Sequence, residues 1–176
     1  IYYTQQQEFI QAYESFDSSL DIDPNFDFAF LNRGIALYYG GRPEQAAEDL
    51  DRFLAKNSED PYRAIWRYLA KSEVDKTLAQ AELRLARESL KQDHWAIAIV
   101  NLFLGDVSET QLLNDVVIGV SNKRQLTDRL CEVYFYLGKY HGALGNKGKA
   151  STYFKLALST NVFEYVEHRY ARLELN

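Results

Sequence analysis

The chain has 176 residues, 47% of them apolar and 26% charged, with a formal net charge of −5. The length suits one domain with a continuous core, and the composition is globular rather than disordered. An acidic balance speaks against a nucleic-acid partner, which needs a basic face, and the lack of any block of like charge speaks against a polybasic membrane patch. Cys131 is the only cysteine, so an intramolecular disulfide and a multi-cysteine zinc site are both excluded. The longest strongly apolar stretch, Trp95 to Leu104, is about half the length that spans a bilayer and reads as a buried helix. The chain starts at Ile1 and has no methionine, which suggests a processed or trimmed chain whose missing N-terminus could have carried a targeting signal.

In chain order, the first signal is an offset. Ala12 and Ala46 stand 34 residues apart, as do Tyr3 and Leu37, Phe16 and Leu50, and Ser19 and Phe53. Gly34 is followed by Gly41, Ala46, Leu50 and Phe53 at +7, +12, +16 and +19, and Gly138 is followed by Gly145, Ala150, Phe154 and Ala157 at the same intervals. Glycine inside a helix costs about 1 kcal/mol relative to alanine. Close approach of a second backbone compensates at Gly34 and Gly138, and the small Ala46 and Ala150 permit it. Gly41 and Gly145 suit a turn between paired helices, because glycine accepts positive φ. Leu50, Phe53, Phe154 and Ala157 continue the packed face at helical spacing.

At these residues the chain resembles the tetratricopeptide family, whose unit is a helix-turn-helix of this length. Phe53 replaces the family's usual small residue. Ser58 and Val162 stand where a proline is common, while Pro24 occupies that place in the first unit. The expected fold is an all-α tetratricopeptide superhelix forming a single repeat domain over 1–176. Within it lie a partial repeat (1–26), a repeat (27–60), an irregular helical segment (61–130), a repeat (131–161) and a capping helix (162–176).

The segment between the repeats lacks the glycine and alanine markers but keeps helical periodicity. Ala79, Leu83, Ala86 and Leu90 form an i, i+4, i+7, i+11 stripe with charged residues around it. Leu112, Leu113, Val116 and Val117 form a shorter one, with Ser108 placed to cap that helix and Glu109 suited to its positive end. Asn122 is placed to cap a long helix running to Gly145. Val162, Val166 and Leu173 imply a terminal helix over the open end of the stack.

No catalytic, cofactor or metal site is expected. Gly145 to Lys149 lacks the further glycine and the hydroxyl residue of a phosphate loop, since Ala143 and Ala150 stand there. Asp21, Asp23 and Asn25 imitate the start of a calcium loop, but Phe26 replaces the glycine and Asn32 the closing glutamate. His94, His141 and His168 are scattered without ligand spacing, His141 at a core aromatic position of the repeat. No serine or cysteine has a nucleophile-elbow context, so the chain is not expected to be an enzyme.

Longer strings carry a closer likeness. Phe30 to Arg42 (FLNRGIALYYGGR), Phe135 to Tyr140 (FYLGKY), Val166 to Ala171 (VEHRYA) and Ala12 to Asp17 (AYESFD) resemble the NlpI family of bacterial tetratricopeptide-repeat lipoproteins. That resemblance implies an outer-membrane lipoprotein facing the periplasm, a homodimer and an adaptor. The implied partners are a PDZ-containing carboxy-terminal processing protease, murein endopeptidases and other cell-wall enzymes. The lipid-bearing cysteine of the family is absent from this sequence, and Cys131 lies mid-pattern in a helix. Membrane association is therefore expected only through an N-terminal lipid outside this sequence.

First helices of stacked pairs line a groove that takes extended partner segments. The candidate partner-binding residues are Asn32, Ile35, Tyr38 and Tyr39 on one first helix and Phe135, Tyr136 and Lys139 on another. Asparagine pairs with a peptide backbone, tyrosine offers area plus a hydroxyl, and lysine holds a carboxylate. His168 and Arg169 join them through the lipoprotein-like string. A generic peptide-binding scaffold or co-chaperone is the alternative reading. Gly34, Ala46, Gly138, Ala150, Phe154 and Ala157 are the expected repeat-packing residues.

Overall fold

In a computed structural model, which describes residues 1–175, every regular element is helical. The chain is all-α, built on tetratricopeptide-type helix pairs. It divides into two compact units, Ile1–Val100 and Asn101–Asn176, where the sequence reading has one continuous repeat domain.

Unit 1 contains α1 (Tyr2–Gln5), α2 (Phe9–Ile22), α3 (Asp27–Tyr39), α4 (Pro43–Lys56), α5 (Pro61–Ser72) and α6 (Lys76–Ser89). Pro43 and Pro61 open α4 and α5 at a position where no amide donor is needed. Asp60 accepts from the Tyr62 amide (2.9 Å) and Asp75 from the Leu78 amide (2.9 Å), so α5 and α6 begin on side-chain caps. Gly41 turns the chain between α3 and α4 at φ 73°, and Gly145 does the same in unit 2 at φ 77°.

The segment expected to be irregular from residue 61 onward opens with a third regular pair. Asp27 maps to Pro61 and Ile35 to Leu69 at an offset of 34, then Ala46 to Ala79 and Leu50 to Leu83 at 33, because α5 is one residue shorter than α3. Tyr68 and Val74 stand where Gly34 and Gly41 stand one repeat earlier, which hides the pair from a search for small residues. The irregular part narrows to the run from Leu90 to Asn122. It holds α7 (Ile97–Leu104), which crosses the unit boundary, and α8 (Glu109–Asp115).

Unit 2 is built on α9 (Lys123–Ala143) and α10 (Lys147–Ser159), with α11 (Val166–Leu173) against both. Asn122 caps α9 through the Gln125 amide (2.9 Å) and Ser108 caps α8 through the Gln111 amide (3.2 Å), as their sequence contexts suggest. The N-terminal extension of α9 carries Arg129, whose guanidinium donates to the carbonyls of Val116 (3.2 Å) and Ile118 (2.6 Å) and holds the end of α8.

The repeat glycines admit a neighbour, as expected, but chiefly a side chain. A Cβ on Gly34 would lie 2.9 Å from Leu50 Cγ and 3.4 Å from the Ala46 carbonyl oxygen. On Gly138 it would lie 2.6 Å from Phe154 Cδ1. The residue at +16 therefore fills the space left by each glycine. Ala46, Ala150, Phe154 and Ala157 are all buried around these contacts.

Candidate binding faces

Along α3, Phe28, Asn32, Ile35 and Tyr39 share one face by the helical period. Phe28 is 57% exposed at its head. The Asn32 side-chain amide donates to the Phe28 carbonyl (2.6 Å), which holds the side chain against its own helix. Tyr38 and Tyr39 are half-buried and meet edge to face, with ring centroids 5.0 Å apart. Ile35 is 0% exposed, so it is a core residue rather than a contact for a partner. One repeat later the equivalent positions are Tyr62 and Trp66, and here the chain covers itself. Trp95 donates its indole N–H to the Tyr62 hydroxyl (3.0 Å), and His94 meets the Tyr62 ring edge-on. The Lys91 amide donates to the Glu59 carbonyl (2.9 Å), pinning that cover, and Trp66 is buried.

Unit 2 is closed over in the same manner. Phe135 and Tyr136 are fully buried, which corrects their assignment to a partner surface. The Tyr136 hydroxyl donates to Glu167 (2.8 Å), and Phe103 packs edge-on against Tyr136 and Tyr140. Lys139 donates to Glu174 (2.6 Å), so its charge is already held within the chain. His168 is buried as well, its Nε2 3.1 Å from the Leu158 carbonyl and its ring edge-on to Phe163. Arg169 is half-buried, with its guanidinium donating to the carbonyls of Tyr165 and Glu164. Glu167 on α11 and Glu174 just beyond it thus engage Tyr136 and Lys139 of α9.

Glu109 was expected only to complement the dipole of α8, and it does more. Its carboxylate accepts from Lys149 (2.6 Å) and the Tyr153 hydroxyl, and it bonds His141 Nε2 (2.9 Å). Burial by itself raises the carboxyl, but those hydrogen bonds and the Lys149 charge pull it down to about 2. His141 is a packed residue, as its repeat position suggests, stacked on Tyr153 and tied to α8. Cys131 is buried, and burial pushes its thiol up to about 12.

Among the described residues, no group of three or more His, Cys, Asp or Glu is placed to hold a metal ion, and no helix is long and apolar enough to cross a membrane. Asp23 accepts from the Asn25 amide (3.0 Å) and Asn25 from Lys56 (3.0 Å), so both side chains serve the turn between α2 and α3.

Sequence reasoning missed Phe28 and a set of ion pairs. Arg33 donates to Asp17 on α2 (2.6 Å) and, through two nitrogens, to Asp49 on α4 (2.7 Å each). Arg67 on α5 is held in the same way between Asp51 on α4 and Glu82 on α6. The signal was present, since Arg33 and Arg67, and likewise Asp17 and Asp51, are 34 residues apart.

No family model matches this sequence. Two crystal structures of MamA are similar to the chain, each at 18% identity and a TM-score of 0.45. The matches cover 90% of this chain and 92% and 86% of theirs.

Proposed function

We propose that the chain is a non-enzymatic protein-binding adaptor that works through the open face of α3. The observation that carries this reading is the head of α3, where Phe28 is exposed beside Asn32, whereas residues 91–95 lie over the equivalent Tyr62. An exposed phenylalanine beside an amide and a half-buried tyrosine suits an extended peptide segment. The finer reading rests on the strings that resemble the NlpI family. The chain would then present murein endopeptidases to a periplasmic carboxy-terminal processing protease at the outer membrane, as a homodimer, and so regulate cell-wall synthesis and division. Holding protease and substrate together raises the effective concentration of one for the other without altering the chemistry of bond cleavage. A reconstituted assay tests it. Degradation of a murein endopeptidase by the protease should accelerate when the chain is added, and Phe28→Ala should weaken partner binding at least tenfold. Unchanged proteolysis together with no measurable binding to either protein overturns the reading.

A further inference from the structure

The side of α3 turned away from Phe28 and Asn32 borders a recess of about 240 Å³, lined by Tyr13, Leu37, Arg42 and Gln45 among others. A second recess, of about 160 Å³, includes Ala47, Lys71, Asp75 and Leu78. The two recesses share four equivalent positions one repeat apart. Tyr13 maps to Ala47 and Leu37 to Lys71 at an offset of 34, and Arg42 maps to Asp75 and Gln45 to Leu78 at 33.

At these positions the side chains differ in kind. In the first recess the Tyr13 ring occupies space beneath the Arg42 guanidinium, which lies 5.0 Å from its centroid, and the Tyr13 hydroxyl donates to the Ala36 carbonyl (3.4 Å). In the second, alanine replaces that ring, leucine replaces the glutamine and aspartate replaces the arginine. Val74 is added in the turn where Gly41 stood. Val74 and Leu78 are 52% and 54% exposed. Ala81 and Leu85 continue from Leu78 along α6 at i+3 and i+7, and both are exposed.

The core-facing stripe of α6 is a different one, through Ala79 and Leu83, which are buried. A surface helix needs only one apolar stripe to hold it to its domain, so a second at helical spacing marks an interface. The charges at its edge identify the partner. Lys71 is bound to Asp51 (3.2 Å) and Glu82 (2.8 Å), whereas Glu44 lines the same recess with an exposed carboxylate, and Asp75, also exposed, caps α6 through one oxygen only. The recess therefore offers an aliphatic floor with an acidic rim.

We propose that the outer edge of α6, from Val74 to Leu85, docks an amphipathic helix of a protein partner. Its leucine-like edge seats on Val74, Leu78 and Leu85, and lysine or arginine beside that edge meets Glu44 and Asp75. This surface is separate from the α3 face, and the two are tested by different variants.

The probe is a designed 18-residue helical peptide with leucines along one edge bordered by lysines, beside a twin with glutamate for each lysine. Amide shifts are followed by NMR on the whole chain. The lysine peptide should shift Ala47, Val74, Leu78 and Leu85, and its glutamate twin should bind at least tenfold more weakly. Leu78→Gln, which imports the residue of the preceding repeat at an exposed position, should lower affinity at least tenfold with unchanged circular dichroism. Five results each overturn the proposal: no binding, equal binding of the two peptides, shifts centred on Phe28 and Asn32, indifference to Leu78→Gln, or self-association of the chain through Leu78.

Discussion

Arg33 and Arg67 are 34 residues apart and have the same task. Each projects from the first helix of a pair into a clamp of two carboxylates, one on the second helix of the preceding pair and one on the second helix of its own. The clamp ties consecutive repeats together through side chains of three successive helices. A further carboxylate in the series would fall at position 84, since α4 maps to α6 at an offset of 33, and Arg84 stands there.

The two rungs are not equal. The Asp49 side chain is 5% exposed, whereas Asp51 and Glu82 are more open and also held by Lys71. Removing Arg33 strands a buried carboxylate, so Arg33→Gln should cost about 3 kcal/mol, the loss typical of breaking a buried pair. Arg67→Gln, with Lys71 in reserve, should cost about 1 kcal/mol. Urea unfolding followed by tryptophan fluorescence reports unit 1, because Trp66 and Trp95 both lie there. Equal losses in the two variants would show that the burial of Asp49 does not decide the difference.

Gly138→Ala should be destabilising even though alanine favours helix by about 1 kcal/mol. The new methyl would sit 2.6 Å from Phe154 Cδ1, and Phe154 is itself buried between α9 and α10. Overpacking of this kind costs about 1–3 kcal/mol, which exceeds or cancels the propensity gain. Gly34→Ala meets the Leu50 side chain at 2.9 Å and should be milder, since a leucine can change rotamer where a wedged ring cannot. Combining Gly138→Ala with Phe154→Leu should recover most of the loss in thermal unfolding.

Helix pairing and repeat length were legible because they are carried by local rules: a 34-residue offset, capping side chains at Ser108 and Asn122, and glycines at two turns. The α5/α6 pair was not, because Tyr68 and Val74 replace the small residues that advertise a repeat, while the packing alanine and leucine survive one residue out of phase. The binding face was legible only in part. Helical period places Asn32 and Ile35 on one side of α3, but it does not reveal which of them the chain then buries. Phe135, Tyr136 and His168 have the residue types of a binding surface. Phe135 lies against Phe154 of α10, Tyr136 against Phe103 and Glu167, and His168 against the Leu158 carbonyl, contacts between separate elements that no local pattern encodes.

Cys131 should be inert to thiol reagents while unit 2 is folded. Burial both shields the sulfur and pushes the thiol up to about 12, leaving almost no thiolate near neutrality. Its modification rate in rising urea should follow unfolding of unit 2, independently of the tryptophan signal from unit 1. Rapid labelling in buffer at pH 7 would contradict the packing of α9 against α10 and α11.

Glu109 should make unit 2 acid-sensitive over a defined window. Its carboxyl titrates near 4.5 when unconstrained and at about 2 when folded. Between those values the unfolded chain binds the proton that the folded chain refuses, so stability rises with pH there. The contribution is present above about pH 4.5 and disappears as pH falls through about 2. Glu109→Gln should lower stability at pH 6 and flatten this part of the profile. A variant as stable as the parent at pH 6 would mean that Lys149, Tyr153 and His141 gain nothing from the carboxylate.

Glu167 should behave in the opposite sense, on the helix that closes unit 2. It is buried, and desolvation raises its carboxyl above the ordinary value against the opposing hydrogen bond from Tyr136. The folded state therefore holds a proton over a range where the unfolded state has lost it, and stability falls as pH rises through that range. Glu167→Gln removes the cost of burying a charge and still accepts from the Tyr136 hydroxyl through its amide oxygen. The variant should match the parent well below the ordinary carboxyl value of 4.5, where the acid is protonated in both states, and exceed it at pH 8. Far-UV circular dichroism in urea at the two pH values, with the Cys131 reaction as a second probe of unit 2 at pH 8, measures the difference. A loss of similar size at both pH values would instead assign Glu167 a role as a charged acceptor that holds α11 on α9.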